Sequence, residues 1–173
     1  VIASKQLTYT VENETKPAAK RKKTNMESNQ PSVEDKIVLT NNQSQLIEAE
    51  GEGQQGMLYV GNVIVNRVVA DCLDFRDVRT VEQVIFQVQG GNYSFEAVQK
   101  GNLFYQRARP TERKLAKQNL EYWRQFPGKY ALWYFNPSGE CPPTWYDQPF
   151  AGQFKQHCFY EPAAGTCESV YNG

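Results

Sequence analysis

Histidine is almost missing from this chain of 173 residues: His157 is the only one. The four cysteines, Cys72, Cys141, Cys158 and Cys167, include no C-x-x-C pair. Zinc sites draw on close pairs of such ligands, so no protein-bound metal is expected. An excess of one charge is missing too, because Lys plus Arg and Asp plus Glu both number 19. That leaves no global field to attract nucleic acid or an anionic membrane. No apolar run approaches the roughly 18 residues of a membrane span. Val1 to Lys23 contain no apolar core of a secretory signal, which speaks for those residues alone because the chain begins at Val. There is no internal repeat.

What is present suffices for one compact domain: 40% of the residues are apolar and 13% aromatic. The cysteines fit either buried free thiols or disulfides, and four of them allow three connectivities. Residues 1–36 differ from the rest. They hold Lys20-Arg21-Lys22-Lys23, Pro17, Pro31 and many Asn, Ser, Glu and Thr. Such a segment has too little to bury to offset its ordering entropy, so a basic, polar, disordered tail is predicted there. The basic run suits a solvated surface, or docking on an acidic partner or glycan.

A globular domain is expected over 37–173. Thr40-Asn41-Asn42-Gln43 has the form of a capping box and predicts a helix through Leu46 and Ile47 to Ala49, stopped by Gly51 and Gly53. Met57, Val60, Gly61, Ile64, Val65 and Val68 then recur at helical spacing, which predicts a core helix. Thr80 to Gln83 repeats the capping pattern, with Val81, Val84, Ile85 and Val88 on one face and Gly90-Gly91-Asn92 ending the element. A further helix is predicted from Pro110 through Leu115, Ala116, Leu120 and Trp123 to the Pro127-Gly128 break. Tyr130 to Phe135 and Phe154 to Tyr160 are short and aromatic and read as strands or extended loops. Helices first and a small sheet late make the fold α+β.

Glu48-Ala-Glu50-Gly-Glu52 is the densest group of acids. A carboxyl near a helix C-terminus, beside other carboxylates, is disfavoured as the anion, which suits a general acid at neutral pH. Three glutamates at a helix end equally suit a solvated surface. Among the aromatics, Tyr105, Trp133, Tyr134, Trp145 and Tyr146 could stack on sugar rings or fill a core. Trp133 and Tyr134 must face opposite ways if they lie on a strand. His157 could serve as a base or as a hydrogen-bonded structural residue. A Cys158–His157 nucleophile pair is a poor prospect, since neighbours on a strand diverge.

The order Glu48-Ala-Glu-Gly-Glu52, Gly56 and Val63-Ile-Val-Asn-Arg67-Val resembles the signature of the SleB/CwlJ-type cell-wall hydrolases, the spore cortex-lytic enzymes. Their pattern is A-E-A-x-G-E, a Gly, then an apolar helix ending N-R-V; here Ile47 replaces the first Ala, and Asn41 to Gln45 are more polar than usual. Further along, Phe104-Tyr-Gln-Arg-Ala-Arg109, Leu132-Trp-Tyr-Phe-Asn-Pro137, Gln148-Pro-Phe150 and His157-Cys-Phe-Tyr160 are similar to the CwlJ branch in particular. Asn92-Tyr93-Ser94 stands where many relatives have Gln-Phe-Ser, so only Ser94 carries over. The resemblance covers residues 45–172.

It implies a lysozyme- or lytic-transglycosylase-like helical domain with a small antiparallel sheet. It further implies Glu48 as catalytic acid/base and cleavage of spore-cortex peptidoglycan during germination. No cofactor is implied for the chemistry; calcium dipicolinate is the implied trigger. A spore-coat protein is the implied anchor, at the coat–cortex boundary. As substrate-binding residues we nominate Glu52, Ser94, Tyr105, Tyr134, Asn136 and Tyr146. Lytic transglycosylation is preferred over hydrolysis because no convincing second carboxylate follows. A non-catalytic, coat-anchored binding protein is the reading from another class.

Overall fold

The computed structural model describes residues 52–105 and 108–172, apart from the side chain of Tyr105. Glu48, the helix expected before it and the tail expected over residues 1–36 lie outside them.

The core is built on helix α1, Gly53–Ala70. The apolar stripe seen in the sequence is its inner face, but Tyr59, Asn62, Val63 and Asn66 are buried as well. A helix enclosed on all sides is the centre of its domain. Gly53, expected as a stop, is instead the first residue of α1; its left-handed φ of 74° turns the chain into the helix. Gly61 lets α5 (Pro110–Leu120) lie directly against α1: an added Cβ would fall 1.9 Å from Asn119 Oδ1. Asn119 is fully buried and donates to Leu58 O and Asn62 Oδ1 at 2.9 and 3.1 Å.

Helix α2, Val81–Ile85, starts with the capping box that the sequence foretells, Thr80 and Gln83 bonding each other's backbone N–H. It is shorter than expected. Val88 leaves the helical face and begins β1 (Val88–Gln89), where it is 56% exposed. Strand β1 pairs with β2 (Asn92–Tyr93) across Gly90-Gly91, both at positive φ, the requirement of a type I′ turn. Two short helices follow, α3 (Glu96–Gln99) and α4 (Asn102–Tyr105). Helix α5 has its Pro at the first turn, as the sequence indicates. It stops at Leu120, and Trp123 lies beyond it, folded back against Tyr59 at 5.5 Å.

The late aromatic segments form an antiparallel sheet of β3 (Trp133–Phe135), β4 (Thr144–Trp145), β5 (Gln148–Phe154) and β6 (His157–Tyr160), in the order β3-β6-β5-β4. Helix α6, Glu168–Tyr171, closes the described chain. The α+β expectation holds, although β5 was not foreseen as one long strand. The cysteines are resolved in favour of disulfides, Cys72–Cys167 and Cys141–Cys158. The free-thiol alternative therefore falls, and no described cysteine is free.

Candidate active site

The Asn66-Arg67 pair of the apolar helix has a clear task. Asn66 Nδ2 lies 2.9–3.1 Å from the carbonyls of Gly128, Lys129 and Ala131, and Arg67 Nε donates to Leu132 O at 2.8 Å. The Arg67 guanidinium is sandwiched between the rings of Phe75 and Phe95, at 4.9 and 4.8 Å. Buried carbonyls need donors. These two side chains supply them and so fix where β3 begins relative to α1.

That registration brings the start of α1 onto the β5–β6 turn. Glu52, the residue before α1, makes no cap bond with its side chain. Its Oε1 instead meets His157 Nδ1 at 3.1 Å. Both groups are mostly enclosed, at 26% and 15% side-chain exposure. Lys155 takes a left-handed φ of 50° in the turn, and its Nζ donates to Glu52 O at 3.1 Å. Tyr134 lies beside His157 with ring centroids 5.7 Å apart, and stacks on Phe159 at 5.8 Å. Asn136, just past β3, meets Gln156 of the same turn, amide to amide at 3.1 Å. Glu52, Tyr134 and Asn136 are thus gathered around one hairpin tip, and His157 joins them as the partner of Glu52.

Two other nominated residues lie elsewhere. Ser94 and Tyr146 border a groove of about 870 Å³ between the β1–β2 hairpin and the far side of the sheet. Trp133 lines that groove, while its neighbour Tyr134 faces His157, the alternation expected of a strand. The predicted substrate residues therefore divide between the two faces of β3. Tyr105 ends α4, and Glu48 lies outside the described residues. Sequence reasoning missed Lys155, because a lysine in a turn has no signature of its own. The doubt over a Cys158–His157 pair is resolved structurally, since Cys158 is disulfide-bonded and His157 turns to Glu52. Among the described residues no group of three or more His, Cys, Asp or Glu could hold a metal, and no helix is long and apolar enough to cross a membrane.

A helical part and a small antiparallel sheet that meet at an acid-bearing helix start define a lysozyme-like α+β domain. Two solved structures share it. The catalytic domain of the Bacillus cereus SleB protein superposes with a TM-score of 0.51 at 28% identity, over 69% of this chain and 90% of that one. The catalytic domain of the germination-specific lytic transglycosylase SleB from Bacillus anthracis gives 0.53 at 26% identity, over 78% of this chain and all of that one. The Cell Wall Hydrolase family model matches residues 51–160, and this chain belongs to that family. It is 56% identical over 125 residues to the cell wall hydrolase CwlJ of Bacillus subtilis strain 168, spanning 72% of this chain and 84% of that protein. With CwlJ of Halalkalibacterium halodurans the identity is 52% over 124 residues, at the same coverage.

Proposed function

We propose that this chain, a peptidoglycan-degrading enzyme, cleaves the glycan strands of the spore cortex during germination as a lytic transglycosylase. Glu48 is its general acid/base. In this reading Glu48 protonates the oxygen between muramic acid and glucosamine as an oxocarbenium-like centre develops. The muramyl C6 hydroxyl then attacks C1, the ionised Glu48 takes up the hydroxyl proton, and a 1,6-anhydro end forms. One carboxyl group and the substrate's own hydroxyl account for every proton, so the chemistry needs no cofactor.

The observation that carries the choice of reaction is the Glu52–His157 contact. A hydrolase of this kind would use a second carboxylate to hold water or to attack, and Glu52 is the nearest in sequence. Its carboxylate is committed to His157 and its backbone carbonyl to Lys155, which leaves it as a brace for the segment that follows Glu48. The likeness to a SleB domain described as a germination-specific lytic transglycosylase supports the same choice. Glu48 is four residues from Glu52, and four residues span at most about 14 Å. The hairpin tip with Tyr134 and Asn136 is therefore within reach of a sugar held by Glu48. Ser94, Tyr105 and Tyr146 are proposed to contact more distant parts of the strand.

The two disulfides suit a compartment that does not reduce them, in keeping with a place at the coat–cortex boundary. A coat protein as anchor and calcium dipicolinate as trigger belong to the same proposal. A purely structural coat protein would have no use for Glu48. Glu48→Gln should lower the release of soluble fragments from decoated cortex at least ~100-fold with an unchanged circular-dichroism spectrum. A loss under about tenfold would remove Glu48 from the role.

A further inference from the structure

The loop between α5 and β3 carries an aromatic surface that neither the core nor the hairpin tip uses. Tyr122 and Phe126 are 67% and 59% exposed. Tyr122 also has a φ of 102°, a backbone position that glycine accepts and a bulky side chain disfavours. It is therefore held in strain with its ring in solvent, where burial offsets nothing. Strain kept at an exposed position points to a use outside the fold.

The charges of this loop are as unmatched as its rings. Arg124 lies over the Tyr122 ring at 5.5 Å, and Lys129 Nζ lies 5.8 and 4.9 Å from the ring centres of Phe126 and Tyr130. Arg124 is half-buried, and its Nη1 meets three neutral oxygens, Trp123 O, Asn119 O and Asn62 Oδ1, at 2.8, 3.1 and 3.4 Å. Burial holds its guanidinium below the ordinary 12.5, with no carboxylate to oppose the effect. Neither Arg124 nor Lys129 has a carboxylate partner among the described residues. The sequence supplies no Asp or Glu between Glu121 and Glu140, and Glu121 itself faces Lys117 at 3.4 Å. A partly desolvated cation without a counter-charge is unfavourable, and an incoming carboxylate would relieve it.

Exposed aromatic rings beside an arginine have the composition of an interface hot spot. A second copy docked about a twofold axis would set Arg124 and Lys129 against the same two cations. We propose that this surface docks a partner protein through an acidic segment in which carboxylates are interspersed with apolar side chains. The carboxylates meet Arg124 and Lys129, and the apolar side chains cover Tyr122 and Phe126. Asn62, which Arg124 bonds, lies about 13 Å along α1 from Gly53, so a docked partner leaves the Glu52 end open. The proposal goes beyond the cleavage reading and does not depend on it.

The probe is a fluorescein-labelled random copolymer of glutamate and tyrosine, compared with labelled polyglutamate by fluorescence anisotropy. The protein is the full chain carrying Lys20→Gln, Arg21→Gln, Lys22→Gln and Lys23→Gln, so that the basic run cannot hold the probe. Adding Tyr122→Gly with Phe126→Ala should weaken copolymer binding at least tenfold, and Lys129→Gln several-fold. Tyr122→Gly alone should weaken binding while leaving the melting temperature unchanged or higher, which separates the loss from misfolding. Polyglutamate should bind several-fold less tightly than the copolymer. No binding by the parent, equal affinity in the loop variant, or equal affinity for the two polymers would overturn the proposal. A concentration-dependent dimer in sedimentation, broken by the same two substitutions, would overturn it in favour of a second copy. The loop variant should cleave decoated cortex as fast as the parent chain. A matching loss of cleavage would move the surface into substrate binding and overturn docking.

Discussion

The helical half and the sheet half of this domain are held together differently. Around α1, α2 and α5 the core is aliphatic, with Met57, Val60, Ile64, Val84, Ile85 and Leu115 in one buried cluster. The buried polar groups there, Asn62 and Asn119, tie α1 to α5. The sheet half has strands of two to seven residues and much smaller buried clusters, against which half-buried rings such as Trp133, Tyr134 and Phe154 pack. One disulfide, Cys141–Cys158, lies within this half and joins the β3–β4 loop to β6; the other, Cys72–Cys167, ties the start of α6 back to the end of α1. The contrast teaches where a short sheet finds its stability. It buries too little aliphatic surface, and covalent links that restrict the unfolded chain supply the remainder.

The comparison breaks most sharply at the cysteines. Cys72 and Cys167 are 95 residues apart, and chain-entropy reasoning gives such a link about 4–5 kcal/mol. Cys72→Ser with Cys167→Ser should lower unfolding free energy in urea by about that amount; a loss under ~1 kcal/mol would mean that side-chain packing alone holds α6. Next comes the tight contact in the helical half. Gly61→Ala drives a methyl into the buried Asn119 amide and should cost about 3 kcal/mol, whereas Gly139→Ala, with open space around it, should stay within ~0.5 kcal/mol. Equal effects of the two substitutions would contradict the picture of a helical half packed to contact.

The smallest effect is one of pH, and it has opposite signs in the two halves. Hydrogen bonds from Arg109 hold the buried Glu112 carboxyl of α5 below its ordinary 4.5, against the opposing pull of burial. Its contribution is full above 4.5 and fades as pH falls through the lowered value. Burial instead raises Glu161, just after β6. The folded state then holds its proton more tightly, so this contribution is full below 4.5 and fades as pH rises through the raised value. Glu112→Gln should therefore flatten the acid limb of a stability–pH curve, and Glu161→Gln the limb above 4.5. If both variants flattened the same limb, one assignment would be wrong.

The same contrast explains what the sequence made legible. Helix α1, the capping box at Thr80 and the Pro110 start could be read because apolar period and cap chemistry are local signals. Strand β5 could not, because Pro149 and Gly152 interrupt its alternation and a bulge shifts its register between Phe150 and Gly152. Gly53 misled because a glycine at positive φ can end one helix or begin the next. Val88 misled because helical spacing continued for one position past the point where the chain had turned. The disulfide pairing was closed to the sequence, since it depends on the path of the chain through space. Of the site, Glu52, Tyr134 and Asn136 do come together. Ser94 and Tyr146 share the other face of β3, a separation that one-dimensional spacing does not encode.

The central claim concerns the fate of the glycosidic bond. Decoated cortex digested with the purified chain, and separately with Glu48→Gln, should be compared by mass spectrometry of the released fragments. The account predicts 1,6-anhydro-muramyl ends from the unsubstituted chain and none from the variant. Reducing ends in their place would contradict it, and would return Glu52 from brace to reactant.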